Sequence, residues 1–182
     1  MSKAEQLSLL LPDEIDGALI TGRNNQRYLT GFRSSAGMVL ITRMQAYFLT
    51  DFRYIEAAQR VIKEIKCIEY KNRVDTLREL CATHKITRLA VEDDDLTCAE
   101  FKHLDAELKN IELRGGILDM LLKKMRLIKS PDELKKIEYA QQLTDYGFEY
   151  ILPHIKIGRT EREIALELEF EMRRRGGRGG SL

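Results

Sequence analysis

Residues 37–50, GMVLITRMQAYFLT, decide the fold class of this chain. Two apolar runs, 37–42 and 46–50, are rich in β-branched and aromatic side chains, as strands are. Only three residues separate them. A crossover helix between parallel strands needs a dozen residues or more, so the two runs must pair as an antiparallel hairpin.

The rest of the first 126 residues alternates short apolar runs with helical patterns. Further strand candidates are 17–21, 67–70, 89–91 and 111–113. Apolar residues recur at spacings of three and four in 54–63, 74–83 and 97–109. This alternation predicts an α/β fold, and the hairpin makes its sheet mixed. We therefore expect a mixed β-sheet flanked by helices.

The last quarter of the chain is predicted to be helical only. Two capping boxes, Ser130–Glu133 and Thr160–Glu163, mark helix starts in this part of the chain. A third, Thr97–Glu100, marks a helix start in the α/β region. Pro131 occupies the favoured first helical position. Two helices cannot bury their apolar stripes alone. They either fold back on the α/β domain or form the first part of a further layer, and we place the boundary at 126–131.

Charge and hydropathy exclude two broad classes. The chain of 182 residues has 30 Lys and Arg, 29 Asp and Glu and a net charge of +1, which gives no case for a nucleic-acid-binding surface. The Arg- and Gly-rich end at 177–182 is predicted to be a disordered tail. No run approaches the roughly 20 apolar residues of a membrane span. We expect a soluble cytoplasmic protein that binds neither nucleic acid nor membrane.

No residue pattern predicts a metal site. The cysteines Cys67, Cys81 and Cys98 form no CxxC pair, and we expect them to be buried small hydrophobes in a reducing cytosol. The three histidines, which are His84, His103 and His154, lie far apart in the sequence. The acidic run 92–95 either holds a hard cation or is a solvated loop before the Thr97 cap, and we expect the loop.

Several segments together resemble one family. Residues 25–32 (NQRYLTGF), 35–37 (SAG) and 49–54 (LTDFRY) resemble the N-terminal domain of the creatinase/aminopeptidase P/prolidase family. Residues 126–133 (RLIKSPDE) resemble its linker, and 156–165 (KIGRTEREIA) resemble the second helix of its pita-bread catalytic domain. The resemblance implies a creatinase-like domain over 1–126, followed over 127–176 by a linker and the first helices of an incomplete catalytic domain.

The residues of these motifs also have a physical account. Tyr28, Leu29 and Phe32 can form an apolar face on a short helix that Gly31 ends with a positive φ. Asp51 follows a strand and can cap a helix that begins near Arg53. Arg53 is placed to pair with a carboxylate or a backbone carbonyl.

The resemblance implies a function that this chain does not perform alone. Family members cleave the bond before proline with two divalent metals, usually manganese, held by two Asp, one His and two Glu. These ligands lie beyond residue 182, so we expect no catalytic or metal-binding residue here and no activity of the isolated chain. We expect the parent, and not this chain, to bind short proline-containing peptides.

The family's N-terminal domain generally dimerises and limits access to the active site. By that resemblance, Phe52 and Arg53 are candidates for a substrate-access rim; alternatively, Phe52 is a packing residue and Arg53 a structural ion pair. We expect a homodimer or association with a full-length relative. A stand-alone binding or assembly module that docks on such a relative is the second reading, and an enzyme using residues 92–95 is the third.

Overall fold

The computed structural model describes residues 1–177, which divide into a compact unit Met1–Leu127 and a second unit that begins at Ile128. The strands are β1 (Gly17–Ile20), β2 (Met38–Thr42), β3 (Ala46–Thr50), β4 (Lys66–Glu69), β5 (Arg88–Val91) and β6 (Glu112–Arg114). The helices of the first unit are α1 (Lys3–Leu10), α2 (Arg23–Thr30), α3 (Ile55–Val61), α4 (Arg73–Thr83), α5 (Cys98–Glu107) and α6 (Leu118–Leu127). The second unit contains α7 (Pro131–Ile151), a 3₁₀ turn (Leu152–His154) and α8 (Glu161–Arg174).

The predicted mixed sheet is confirmed. Its strand order is β4-β3-β2-β1-β5-β6. β2 runs antiparallel to both of its neighbours, and the other pairs are parallel. The hairpin of β2 and β3 pairs Met38 with Leu49 and Val39 with Phe48. Every residue of β2 is buried because helices cover both faces of the sheet.

Each face of the sheet has its own apolar core. Ala18 and Ile20 of β1 join a cluster with residues of α1, α2, α3 and α6, whereas Leu19 joins a cluster with residues of α4 and α5. This division follows from the period of two along a strand, which sends successive side chains to opposite faces. The consequence is that α2 and α5, which follow the adjacent strands β1 and β5, pack on opposite faces.

Helix α1 was not predicted from the sequence. A capping box of Ser2 and Glu5 begins it, and its end is held by a side chain from the β2–β3 turn. The guanidinium of Arg43 donates to the carbonyl oxygens of Ser8 (3.0 Å), Leu11 (3.2 Å), Pro12 (2.5 Å) and Ile15 (2.8 Å). The bond to Ser8 satisfies a carbonyl that the helix end leaves open, the other three hold the segment that follows the helix, and only the folded hairpin can supply them.

The three predicted capping boxes are confirmed at α5, α7 and α8. The prediction for α2 is also confirmed, because Gly31 ends this helix with φ 71°. The helix predicted to begin near Arg53 begins instead at Ile55. Asp51 is not its cap, because its Oδ1 accepts the backbone N–H of Arg53 in a turn before the helix (3.0 Å).

The second unit is an antiparallel pair of helices that approach closely at Gly147. A Cβ placed there would lie 3.2 Å from Leu168 Cδ1 and 3.2 Å from Met172 Cγ. Tyr146 donates to Glu171 Oε1 (3.0 Å), and Tyr150 donates to Glu167 Oε1 (2.7 Å). Apolar contact and tyrosine–glutamate hydrogen bonds therefore join α7 to α8.

Of the tail predicted to be disordered, 178–182 lie outside the described residues. Gly177 is described, and its N–H donates to the carbonyl of Met172 (2.9 Å). Within residues 1–177, no helix is both long and apolar enough to cross a membrane.

Candidate functional site: a crevice at the carboxyl edge of the sheet

A crevice of about 760 Å³ opens at the carboxyl ends of β1 and β5. It lies between adjacent parallel strands whose following helices pack on opposite faces of the sheet. Ligands of open α/β sheets bind at such a point, because the two chains leave the sheet in opposite directions and part from each other. The fold therefore makes this crevice the first candidate for a functional site.

Glu92 lies at the base of the crevice and is 0% exposed. Its carboxylate accepts the backbone N–H groups of Thr21 and Gly22, each at 2.6 Å, and Nδ2 of Asn25 at 2.6 Å. Burial raises the pKa of Glu92 and outweighs the opposing effect of these three donors. The side chain thus closes the N-terminal end of α2, which has no side-chain cap of its own.

Asn25 and Gln26, the first residues of the NQRYLTGF segment, hold the wall of the crevice. Asn25 Oδ1 accepts from Arg126 Nη1 (3.0 Å). Gln26, which is 4% exposed, donates Nε2 to the carbonyl oxygens of Thr21 (2.5 Å) and Gly37 (3.0 Å). Gln26 thus connects the end of β1 to the start of β2, whereas Asn25 connects Glu92 to α6, so this part of the motif has a structural role at the site.

The acidic run splits into one buried residue and three exposed ones. The prediction of a solvated loop is wrong for Glu92, because the alternation of β5 carries this side chain inward. Asp93 accepts the N–H of Gly116 and donates its own N–H to Asp119 (2.6 Å). Asp94 pairs with Lys123 at 2.6 Å. These acids join the β5–α5 loop to the start and middle of α6.

The candidate rim residues lie beside the crevice. Phe52 is 75% exposed, so its ring is not packed in the core of the described residues. Arg53 forms the expected ion pair, donating to Asp51 Oδ2 from Nη2 (2.6 Å) and Nε (3.1 Å). The hydrogen bond from Arg53 is the largest cause of the lowered pKa of Asp51. The guanidinium is therefore held in one orientation while its side chain remains 56% exposed.

A hydroxyl pair connects the rim to the crevice wall. Ser35 Oγ and Tyr54 Oη lie 2.7 Å apart, and Ser35 lines the crevice. The ring of Phe32 meets that of Tyr54 edge to face, with centroids 6.5 Å apart. Residues 51–54 are therefore fixed to the segment that precedes β2 and do not form a free loop.

The histidines and cysteines do not converge on the site. His84 Nε2 lies 2.7 Å from Tyr47 Oη, and His154 Nδ1 lies 2.8 Å from the carbonyl oxygen of Tyr150. Cys81 is buried, and burial raises the pKa of its thiol to about 12. The expectation that all three cysteines are buried is wrong for Cys98, which is exposed on the first turn of α5.

The described residues do not fit the two-metal centre that the resemblance implies. Among residues 1–177, no group of three or more His, Cys, Asp or Glu side chains is placed to hold a metal ion. At the crevice, the Glu92 carboxylate already accepts hydrogen bonds from two backbone N–H groups and an amide. A hard cation needs several oxygen ligands that converge on it. The carboxylate oxygens of Glu92 point toward N–H donors instead.

Comparison with known proteins agrees with this architecture. Residues 8–128 match the Creatinase/Prolidase N-terminal domain. The peptidase YqhT of Bacillus subtilis is 38% identical over 168 residues, which cover 92% of this chain and 47% of that protein. The chain thus spans about half the length of the curated relatives it matches.

Two solved structures share the fold over nearly the whole chain. An Xaa-Pro dipeptidase from Bacillus anthracis has a TM-score of 0.86 and 32% identity, covering 95% of this chain and 49% of its own. An X-Pro aminopeptidase from Thermotoga maritima has a TM-score of 0.83 and 28% identity, covering 93% and 49%. The chain therefore belongs to the creatinase/prolidase family and carries the family's N-terminal domain at residues 8–128.

Proposed function

We propose that this chain is the non-catalytic N-terminal part of an Xaa-Pro peptidase and that it controls which peptides reach the active site. The relatives include peptidases whose names specify Xaa-Pro substrates. In this proposal the bond before proline is hydrolysed by groups in the half of the relatives that the chain does not span. The two divalent metals, manganese by family resemblance, bind there as well.

The observation that carries the access role is the fixed, exposed pair Phe52–Arg53 beside the crevice. Phe52 is 75% exposed although it follows a buried strand, and an exposed aromatic ring is suited to contact another molecule. Arg53 presents a guanidinium whose orientation the Asp51 pair maintains, and a guanidinium binds a peptide carboxylate well. Together they form a rim that can favour short peptides over long ones.

The proposal includes an organisation of the chain. Residues 1–126 form the creatinase-like α/β domain, and 127–176 form the linker and first helices of the catalytic domain. The parent acts as a cytoplasmic homodimer, in which the rim faces an active site. A rim can limit access only where it faces an active site, which is why assembly belongs to the same proposal.

The test is a chimera in which residues 1–177 replace the matching half of the Bacillus subtilis relative. Hydrolysis of an Xaa-Pro dipeptide and of a longer Xaa-Pro peptide is compared for Phe52→Ala, Arg53→Ala and unchanged chimeras. Met44→Ala is the matched control, because Met44 is 86% exposed in the turn between β2 and β3, at the opposite end of these strands. We expect the two rim variants to raise the rate on the longer peptide relative to the dipeptide by about tenfold, a free-energy difference of about 1.4 kcal/mol.

An unchanged ratio in an active chimera would refute the access role. Equal losses on both substrates would also refute it, because they would assign Phe52 and Arg53 to general structure. The control variant must leave both rates unchanged. Sedimentation of the same chimeras tests the homodimer independently of the rates.

The second candidate is a stand-alone module that docks on a full-length relative. It is favoured by the large apolar side chains exposed on α7 and α8, among them Phe148 (64%) and Phe170 (67%), since surfaces of this kind mark interaction sites. Adding the isolated chain to the active Bacillus subtilis relative tests it. A stoichiometric complex of the two would support this candidate over the first one.

A further inference from the structure

The crevice at the carboxyl ends of β1 and β5 is large enough for a small ligand. Its volume of about 760 Å³ lies within the range of roughly 300–1,000 Å³ that is usual for small-molecule sites. Its lining includes the apolar side chains of Leu19, Met38, Leu96 and Leu104. Polar and charged groups form most of the remainder. A surface of this kind suits a small organic molecule that carries charges and an apolar part.

Several charged side chains of the crevice are already engaged by neighbouring residues. Lys123 and Asp94 form an ion pair at 2.6 Å. Arg126 donates to Asn25 Oδ1 (3.0 Å), and the carboxylate of Glu100 takes part in the capping box of α5. A ligand could bind these side chains only by displacing an existing partner.

Three charged side chains of the crevice remain, and they include both signs. Within residues 1–177, the side chains of Arg23, Arg73 and Asp95 take part in no hydrogen bond and no ion pair, although all three line the crevice. Arg23 begins α2 and Arg73 begins α4. Because these two helices pack on opposite faces of the sheet, the two arginines line the crevice from opposite sides.

The oxygen acceptors of the crevice lack a cation. Gln26 is 4% exposed, and its Nε2 donates to two carbonyl oxygens while its Oε1 accepts from no described residue. Since no buried side-chain oxygen of the described residues lacks a hydrogen-bond partner, this Oε1 must open into the crevice. Glu92 is fully buried and has no ion-pair partner within residues 1–177. A Cβ added to Gly22 would lie 3.0 Å from Glu92 Oε1 and 3.4 Å from Asp95 Cγ, so two carboxylates flank one point.

We propose that this crevice binds a small zwitterion of the α-amino acid class, which is a free amino acid or a short peptide. An ammonium group supplies three N–H donors for Asp95 and for Oε1 of Gln26. It also brings the positive charge that the buried carboxylate of Glu92 lacks. The carboxylate of the ligand matches Arg23 and Arg73, because guanidinium groups bind carboxylates well. The inference does not depend on the proposed function, since it concerns a bound molecule and no hydrolysis.

The test is a titration of the whole, isotope-labelled chain, followed by NMR. Leucine and leucyl-proline carry both charges, N-acetyl-leucine lacks the ammonium group, and leucine amide lacks the carboxylate. We expect leucine or leucyl-proline to give saturable shifts of the crevice amides. Each of the other two ligands should bind at least about tenfold more weakly than leucine, because each loses hydrogen bonds to a charged group. The tighter of leucine and leucyl-proline identifies the source of the ligand.

Side-chain variants assign the two ends of the ligand. Asp95→Asn should weaken the binding of leucine and of leucine amide by about tenfold and leave that of N-acetyl-leucine unchanged. Arg73→Gln should weaken the binding of leucine and of N-acetyl-leucine and leave that of leucine amide unchanged. Asp105→Asn and Arg60→Gln are the matched controls, because they remove the same charges at exposed positions outside the crevice.

Three results would overturn the proposal. They are the absence of saturable shifts with every probe, equal affinity for leucine and its two blocked derivatives, and equal affinity of the crevice and control variants for leucine. Each is read from binding by the chain alone, whereas the proposed function is read from peptide hydrolysis by the chimera. Failure of the binding site is therefore distinguishable from failure of the proposed function.

Discussion

Oε2 of Glu92 lies 2.6 Å from the backbone nitrogen of Gly22 and connects two loops that are 70 residues apart in the chain. The carboxylate is fully buried and also accepts from Thr21 and Asn25. Removing a buried acceptor leaves its donors without partners, and each such group costs about 1–3 kcal/mol. The crevice therefore depends on one acid that performs no reaction in this account.

Replacing Glu92 should destabilise the first unit. We expect Glu92→Ala to lower the free energy of unfolding by about 3 kcal/mol, because two backbone N–H groups lose their acceptor. Glu92→Gln should cost less, since one carbonyl oxygen remains. Asp95→Ala at an exposed position of the same run is the control and should change stability by less than about 0.5 kcal/mol. Urea denaturation followed by circular dichroism measures all three, and equal effects of Glu92→Ala and Asp95→Ala would contradict this role.

The contribution of Asp16 to the free energy of unfolding should decrease as the pH falls into the acid range. Burial opposes its ionisation, but hydrogen bonds from the Thr87 hydroxyl and from the N–H groups of Thr87 and Arg88 outweigh burial and lower the pKa of Asp16. An acid with a lowered pKa in the folded state stabilises the fold above its unfolded pKa of about 3.9. That contribution is lost as the pH falls through the folded value. The stability advantage of the wild type over Asp16→Asn should therefore be full at neutral pH and shrink in acid. An advantage that grows on acidification would contradict the assignment.

Gly147 should be required for the close approach of α7 and α8. A β-branched side chain at this position would overlap Leu168 and Met172, whose atoms lie 3.2 Å from an added Cβ. Overpacking of this kind costs about 1–3 kcal/mol. We expect Gly147→Val to increase amide hydrogen exchange throughout both helices. Ala140→Val, at an exposed position of α7, is the control for helix propensity and should leave exchange in α8 unchanged.

The three thiols should differ in reactivity. Cys98 is exposed, whereas Cys81 is buried and burial raises its pKa to about 12. Burial also raises the pKa of the half-exposed Cys67. Because the thiolate is the reactive form, a maleimide reagent should label Cys98 first and Cys81 only on unfolding. Cys98→Ser should remove the fast phase, and a fast phase that persists in this variant would show that another thiol is accessible.

Most of the sheet could be predicted because its strands are apolar runs bounded by turns. The hairpin could be predicted from the short spacing between the two apolar runs of residues 37–50. Three helix starts could be predicted because a capping box is a pattern of local hydrogen bonds. Helix α1 was missed although its Ser2–Glu5 capping box is the same local signal as the other three. Only its end was beyond prediction, because that end depends on Arg43, which the folded hairpin places near the carbonyl of Leu11. A local pattern contains no information on such a contact.

The site was harder to predict than the fold for the same reason. Phe52 and Arg53 came from family resemblance, and the sequence alone could not show that Phe52 would be exposed. Glu92 looked like the first member of a solvated acidic loop. Its role depends on the N–H groups of Thr21 and Gly22, which β-sheet pairing brings close only after folding. One signal was present, since Glu92 directly follows the buried strand β5.

The central claim is that this chain shapes the crevice and its rim but does not supply the reacting groups. The most direct test compares the release of the N-terminal residue from an Xaa-Pro peptide by the pure chain and by the chimera, each with added manganese. We expect release by the chimera and none above buffer by the chain alone. Release by the pure chain that a chelator abolishes would show that residues of this chain supply the reacting groups.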